Sequence, residues 1–497
     1  MSKRAAVILL VLFAVVLAAR LYFAFSIPYF SSDDSYFHLR QIEHIRDAGF
    51  PVFEDGLSFS GRTQIFSPVF HYFIAFFALF LPVILAAKLV TNIFAASLVF
   101  FVYLISKKLT NNSFVSFAAA FLSGFVPVFF ANTVTQLSPV SIVIPLIFLL
   151  VYAFMNIKKK PWLCCYLVLL VILTAMHPLI LLFVLGLCIY LVFILIEKRK
   201  QKREELEISL FSVFFVLWAH FIMYKRLLVF HGPAVIWQNI PPEILSNYFA
   251  EASILGVIYN IGIMPFVLGL YVIYLFSFKK KDRQSYLIIS FAAAAGLLLW
   301  LRLVNLDIGL MFFGIVLVIL FAQWFNYFLD YVGRSRVSKF LYLSVALVFA
   351  GLIIFSVYPS VEMAERSAQK ISPEEISALE WISENTPRDA VIVAVPDEGN
   401  LINAVAERRN VVDSRFLLQS DAKQRFADVK RIYTAYLEIE VVSLLDKYGA
   451  GYIYFSDNAR DLFGRQELGY VDQCFEKVYD KNIQVYQRKG CELKVIK

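Results

Sequence analysis

Two adjacent carboxylates, Asp33 and Asp34, open the segment SSDDSYFHLRQIEHIRDAGFPVFEDGLSF, and of all residue types in the chain these are the best suited to chemistry. A fixed carboxylate can take a proton from a hydroxyl, polarise an amide or bind a divalent cation. His38 and Arg40 follow at once, adding a titratable ring and a permanent cation whose fork of donors suits phosphate. A plainer reading stands beside this one: Ser31 or Ser32 caps a helix, and Asp33 and Asp34 merely complement the dipole of its first turn. On that helix His38, Ile42 and Ile45 fall on one side, while Arg40, Glu43, His44 and Asp47 mix charges around the rest.

The elements that must position this segment are set by composition. Of 497 residues, 60% are hydrophobic and 17% charged, against about 45–50% and about 25% in ordinary soluble proteins. A soluble globule is excluded. The apolar stretch at about residues 5 to 25 follows Lys3 and Arg4 and reads as a retained span rather than a signal peptide. Further stretches begin near residues 84, 113, 138, 162, 178, 209, 254, 286, 308 and 339, which makes about eleven spans. Basic clusters at Lys107 and Lys108, Lys158 to Lys160, Lys198 to Arg203, Lys279 to Arg283 and Arg334 to Lys339 occupy every second loop, as the positive-inside rule requires. The segment SPVFHYFIAFFALFLP near 67 to 82 has a clean apolar run of only about thirteen residues, too short to cross, and reads as a re-entrant or interfacial helix. The amino terminus is then cytoplasmic, the loop 26–83 is external, and everything after about residue 358 is external too. The net charge of +8, from 46 basic and 38 acidic residues, belongs to the cytoplasmic loops and does not mark a nucleic-acid site.

Residues 359–497 change to a soluble pattern. Ser372, Pro373, Glu374 and Glu375 form a capping box that opens a helix through Asn385. AVIVAV at 390–395 and GYIYFS at 451–456 read as strands, with helical patterns near 399–407, 421–434 and 437–448. Cys474 and Cys491 flank two alternating strands, so their pairing in a disulfide is expected outside the cell. The fold class is a polytopic α-helical membrane protein, 1–358, with an external α/β domain, 359–497. No CxxC pair, Gly-rich phosphate loop or GxSxG elbow is present, which argues against a zinc site and a nucleotide-driven pump.

Lys88, Lys225, Arg226 and Arg302 lie near outer helix ends, where a cation either snorkels to lipid head groups or binds the phosphate of a lipid-linked substrate. Arg302 and Asp307 flank one short outer turn and either pair with each other or touch substrate.

The words DDSYFHLR resemble the D-P-Y-[FY]-[NH]-x-R signature that follows the first transmembrane helix in the oligosaccharyltransferase catalytic subunits of archaea and eukaryotes, with related forms across GT-C glycosyltransferases. Asp34, Tyr36, Phe37, His38 and Arg40 take the matching positions, and Ser35 replaces the usual Pro. The order GFPVFEDGLSF, Pro-led apolar half-helix, many spans and external domain also looks alike. The resemblance implies transfer of a sugar or oligosaccharide from a polyprenyl- or dolichyl-phosphate-type carrier to a protein or lipid acceptor on the outer face. Asp34, with Asp33 beside it, would take the role of the first-loop carboxylate, as ligand of a Mg or Mn ion or activator of the nucleophile. Glu251, in YFAEASILG, resembles the glutamate of a long external loop and would be a second ligand or hold the acceptor; otherwise it simply begins a helix. His38, Arg40, Lys225, Arg226 and Arg302 would contact substrate. The chain departs from the family in two places: NTVTQLSP at 132–139 offers no second acidic motif, and VPDEGNLINAVAERRNVVDSRF at 395–416 stands where the WWDYG motif is expected. Asparagine-linked transfer is put in doubt by the second departure. A secondary transporter and a non-catalytic glycan-binding or assembly subunit are the competing readings; the carboxylates in outer loops rather than at the bilayer midplane weigh against the transporter.

Overall fold

The computed structural model describes residues 3–199, 202–245, 253–280, 282–336 and 338–490. The chain divides into two compact units, one of Met1–Tyr29, Ser67–Lys225 and Tyr248–Ala368, the other of Phe30–Phe66, Arg226–Asn247 and Gln369–Lys497.

The first unit is helical and apolar. It opens with α1 (Lys3–Ser26). Among the described residues six helices are long and apolar enough to cross a membrane, or eight if the bent pairs Ser113–Ser123 with Pro127–Val134 and Ile254–Ile261 with Ile263–Phe278 each count once. Helices begin near every position expected from hydropathy, but Val140–Met155, Lys160–Met176 and Ile180–Ile196 are shorter than 18 residues. Length and composition therefore do not confirm eleven spans. Hydropathy cannot see a break such as Gly262, whose φ of +96° turns the chain by 98° between two apolar helices. The short helix Val69–Ala78, between Pro68 and Pro82, is too brief to cross, as expected for the 67–82 segment. Leu306–Arg334 is the central helix, packing against Ile263–Phe278, Arg283–Trp300 and Ser113–Ser123. Among the described residues two cations are buried here. Arg20 donates to Asn92 Oδ1 (3.0 Å) and Thr133 Oγ1 (2.7 Å) and lies over the rings of Phe129 and Phe130. Lys88, instead of reaching outward, donates to the carbonyls of Ala24 (2.8 Å) and Ile27 (2.6 Å) at the end of α1.

The second unit is built on a mixed sheet. After α2 (Asp33–Ala48), the first loop forms a small hairpin of β1 (Glu54–Asp55) and β2 (Arg62–Thr63). The sheet itself has β3 (Val391–Val393), β4 (Arg409–Asn410), β5 (Tyr452–Phe455), β6 (Phe475–Asp480) and β7 (Gln484–Arg488), in the order β4-β3-β5-β7-β6. β3 runs parallel to β4 and β5, whereas β7 is antiparallel to β5 and β6. Helices Pro373–Asn385, Ala422–Thr434 and Glu438–Tyr448 accompany it, the first opened by the Ser372/Glu375 capping box. The core gathers Val391, Val393, Ile432, Leu445, Ile453 and Phe455, and it also takes in Phe59 from the first loop and Ile244. The second unit thus draws on more than the residues after 359: its core is completed by segments distant in sequence. Cys474 is buried and disulfide-bonded. Cys491, its expected partner, lies outside the described residues.

Candidate functional site

Ser32, in extended conformation, precedes α2 and shares a hydrogen bond of 2.6 Å with the Ser35 hydroxyl. Gly49, with φ +85°, ends the helix by returning its N–H to Ile45 O. His38, Ile42 and Ile45 are all buried, as expected of one side of the helix, and α2 packs on Gly399–Leu401 of the same unit.

Asp33 and Asp34 meet opposite surroundings. Asp33 is buried; Asn400 Nδ2 donates to it at 2.7 Å, the Leu401 N–H at 2.8 Å and Ser414 Oγ at 3.3 Å. Burial pushes its carboxyl up to about 8, against those hydrogen bonds from Asn400 and Leu401 and with nearby Asp397 and Asp413 adding repulsion. The Asp34 side chain is 53% exposed and takes Arg415 Nη2 at 2.6 Å and His38 Nε2 at 3.2 Å. Desolvation works against the Asp34 charge, but Arg415 and then His38 outweigh it and hold the carboxyl far below the usual range. Burial lowers the His38 ring while Asp34 pulls the other way, so the neutral imidazole donates to Asp34 at neutral pH. Neighbouring titratable groups driven apart in this manner are a signature of sites that divide tasks between them.

Arg415 is the residue that sequence reasoning passed over. Its guanidinium lies 3.4 Å above the Phe37 ring centre, and its backbone N–H donates to Asp413 Oδ1 at 2.9 Å. Asp413 is buried and accepts from the Ser58 hydroxyl and from Arg62 Nη2, the latter at 3.3 Å. Asn410, just upstream, receives the Phe59 N–H on Oδ1 at 2.7 Å and donates to Gly399 O at 2.9 Å. Gly399 is needed at this crossing, since a Cβ there would lie 2.4 Å from Asp413 Cβ and 2.5 Å from Val412 O. The only sequence signal was the D-S-R run within 395–416, which no local rule connects to α2.

The remaining expected residues are dispersed. Arg40 is engaged within the loop, donating to both oxygens of buried Asp55 at 2.8 and 2.7 Å, where Gln64 and the N–H groups of Leu57 and Ser58 also converge. Its geometry is that of a loop staple. Arg226 is exposed near the end of the helix Arg203–His231, in the second unit; Lys225 and Arg302, both exposed, belong to the first unit. Glu251, expected as a metal ligand and substrate contact, lies outside the described residues.

A divalent cation does not fit this donor set. Among the described residues no group of three His, Cys, Asp or Glu side chains could hold a metal. Asp33 is turned inward to Asn400 and Leu401, and the Asp34 oxygens are taken by Arg415 and His38.

No protein-family profile matches the chain, and no curated protein matches it in sequence. Solved structures do match in fold. The oligosaccharyltransferase of Archaeoglobus fulgidus in its apo form superposes with a TM-score of 0.69 at 13% identity, over 90% of this chain and 69% of that one. The same organism's oligosaccharyltransferase AglB, in complex with an inhibitory peptide and a dolichol-phosphate, gives 0.66 at 13% identity over 91% and 70%. ArnT from Cupriavidus metallidurans, bound to undecaprenyl phosphate, gives 0.55 at 10% identity over 98% of both chains. The fold is therefore GT-C-like, and the chain is a multi-pass membrane protein.

Proposed function

We propose that this protein is a membrane glycosyltransferase that moves a sugar or oligosaccharide from a polyprenyl-phosphate-type carrier to a protein or lipid acceptor on the extracytoplasmic face. The observation that carries the reading is Asp34: a solvent-facing carboxylate, kept ionised by Arg415 and His38, on the helix directly after the first apolar span of a GT-C-like fold. Nucleotide sugars are not expected outside the cell, which favours a lipid-borne donor.

In the reaction the acceptor's oxygen or nitrogen attacks the anomeric carbon, the bond from that carbon to the phosphate oxygen breaks, and its electron pair leaves with the phosphate. The acceptor proton passes to Asp34. A carboxylate held so far below the usual range is a weak base, so its first task is to hold the nucleophile as a hydrogen-bond acceptor; proton transfer comes late. That is sufficient here. Glycosyl transfer runs through an oxocarbenium-like transition state in which the leaving group has largely departed, and phosphate departs without a proton. His38, one helical turn on, holds Asp34 in orientation. Asp33, buried and bonded to Asn400 and Leu401, anchors the helix rather than meeting the acceptor.

The test uses the full chain reconstituted in liposomes with a polyprenyl-phosphate-linked sugar and an acceptor. Asp34→Asn lowers transfer by at least about a hundredfold with protein abundance unchanged; full activity in that variant removes Asp34 from the mechanism. Solute uptake by the same liposomes, with no sugar transferred, would support a transporter instead.

A further inference from the structure

The place beside Asp34 that a metal ion would need already holds a positive charge. Arg415 Nη2 donates to Asp34 Oδ1 at 2.6 Å, and the guanidinium is pressed on its flat face by the Phe37 ring at 3.4 Å. Phe37 is in turn braced edge-on by Phe66 at 5.1 Å. The arginine backbone is fixed by Asp413, which the buried Arg62 and Ser58 hold in place. Its side chain keeps 26% of its surface open. The guanidinium also has a terminal donor to spare: among the described residues Nη2 makes the group's one side-chain hydrogen bond and Nη1 makes none, while Nε is buried without a partner. A divalent cation bound to Asp34 would face this fixed like charge at ligand distance, with Asp33 turned away and, among the described residues, no group of three His, Cys, Asp or Glu side chains to hold it.

From this geometry we infer that Arg415 does the work of the divalent cation: it fixes the Asp34 carboxylate and offers its terminal Nη donors to the phosphate oxygens of the donor. The inference rests on the glycosyltransferase reading above and makes that reaction independent of added metal. Guanidinium is suited to the task because its charge is permanent and its planar fork matches phosphate. As the bond from the anomeric carbon to the phosphate oxygen breaks, negative charge grows on the phosphate, and a pre-placed cation stabilises it without reorganisation.

Transfer and binding separate the outcomes. With the reconstituted full chain, transfer stays within twofold when EDTA replaces Mn²⁺ or Mg²⁺. Arg415→Gln lowers the rate roughly a hundred- to a thousandfold, Arg415→Lys lowers it less, and added Mn²⁺ rescues neither. Undecaprenyl phosphate without sugar binds the wild type, and Arg415→Gln weakens that binding at least about tenfold. Thermal melts accompany each variant, and the chelator and Mn²⁺ arms need no variant at all. Loss of wild-type transfer in EDTA with recovery on Mn²⁺ overturns the inference while leaving the glycosyltransferase reading intact. A wild type that transfers no sugar in any buffer defeats that reading, and electron paramagnetic resonance still judges Arg415: Mn²⁺ bound by the wild type and released in Asp34→Asn overturns its role. Lipid-phosphate binding unchanged in Arg415→Gln overturns it as well.

Discussion

In the apolar unit the buried cations lean on neutral oxygens, whereas three arginines around the first loop, in the sheet-bearing unit, meet carboxylates. Arg20 rests on Asn92, Thr133 and two phenylalanine rings, and one of its nitrogens, Nη1, is buried with no hydrogen-bond partner among the described residues. Arg40, Arg62 and Arg415 pair with Asp55, Asp413 and Asp34. The contrast teaches where charge is used to fasten chain segments together. A cation supported by neutral groups leaves little behind when it is removed. A buried ion pair does the reverse, because taking one partner strands the other.

Asp413→Ala should therefore have the largest structural effect. The pair with Arg62 has side chains only 0% and 3% exposed, and the same carboxylate serves Ser58 and the Arg415 backbone. Breaking such a pair costs about 3–5 kcal/mol, read as a fall in the melting temperature of the detergent-purified chain. Arg62→Met combined with Asp413→Ala should regain part of that loss; a double variant less stable than either single one contradicts the ion-pair account. The apolar unit should be more forgiving. Arg20→Met surrenders two hydrogen bonds to neutral partners but keeps the bulk beside Phe129 and Phe130 and relieves a buried charge, so the expected cost is about 2 kcal/mol. A loss as large as that of Asp413→Ala would mean that Arg20 bears a charge interaction the comparison denies it.

Features encoded within a few residues were legible beforehand. The Ser372/Glu375 capping box, the strands within AVIVAV and GYIYFS, and the face of His38, Ile42 and Ile45 all depend on neighbours in sequence, and all are present. Hydropathy found where the apolar helices begin but not where Gly262 and the shorter helices interrupt them. Nor does a linear cut anticipate that Phe59 and Ile244 complete the core of the carboxy-terminal sheet. The candidate site was half visible. Asp33 and Asp34 are equivalent as letters, and what distinguishes them comes from Asn400 and Arg415, 367 and 381 positions away. No spacing rule reaches that far, which is also why Arg415 carried no signal of its own.

The smallest expected effect is a change of slope. Asp33 has its folded carboxyl raised to about 8 by burial, above the unfolded value of 3.8. A raised value means the native state holds the proton more tightly, so this contribution to stability is complete below about pH 4 and is lost as pH climbs towards 8. Asp34 acts with the opposite sign in another window: its lowered carboxyl contributes stability above the unfolded value and loses it only in stronger acid. Buried Glu398 is raised like Asp33 and adds to the decline on the alkaline side. Asp33→Asn should therefore flatten, without abolishing, the fall in melting temperature between pH 4 and 8, at a cost near pH 5 of roughly 1 kcal/mol for the acceptor it takes from Asn400 or Leu401. An unchanged slope would show that Asp33 is ionised in the native protein, held by those donors as tightly as Asp34 is held by Arg415, and the two carboxylates would no longer differ in charge.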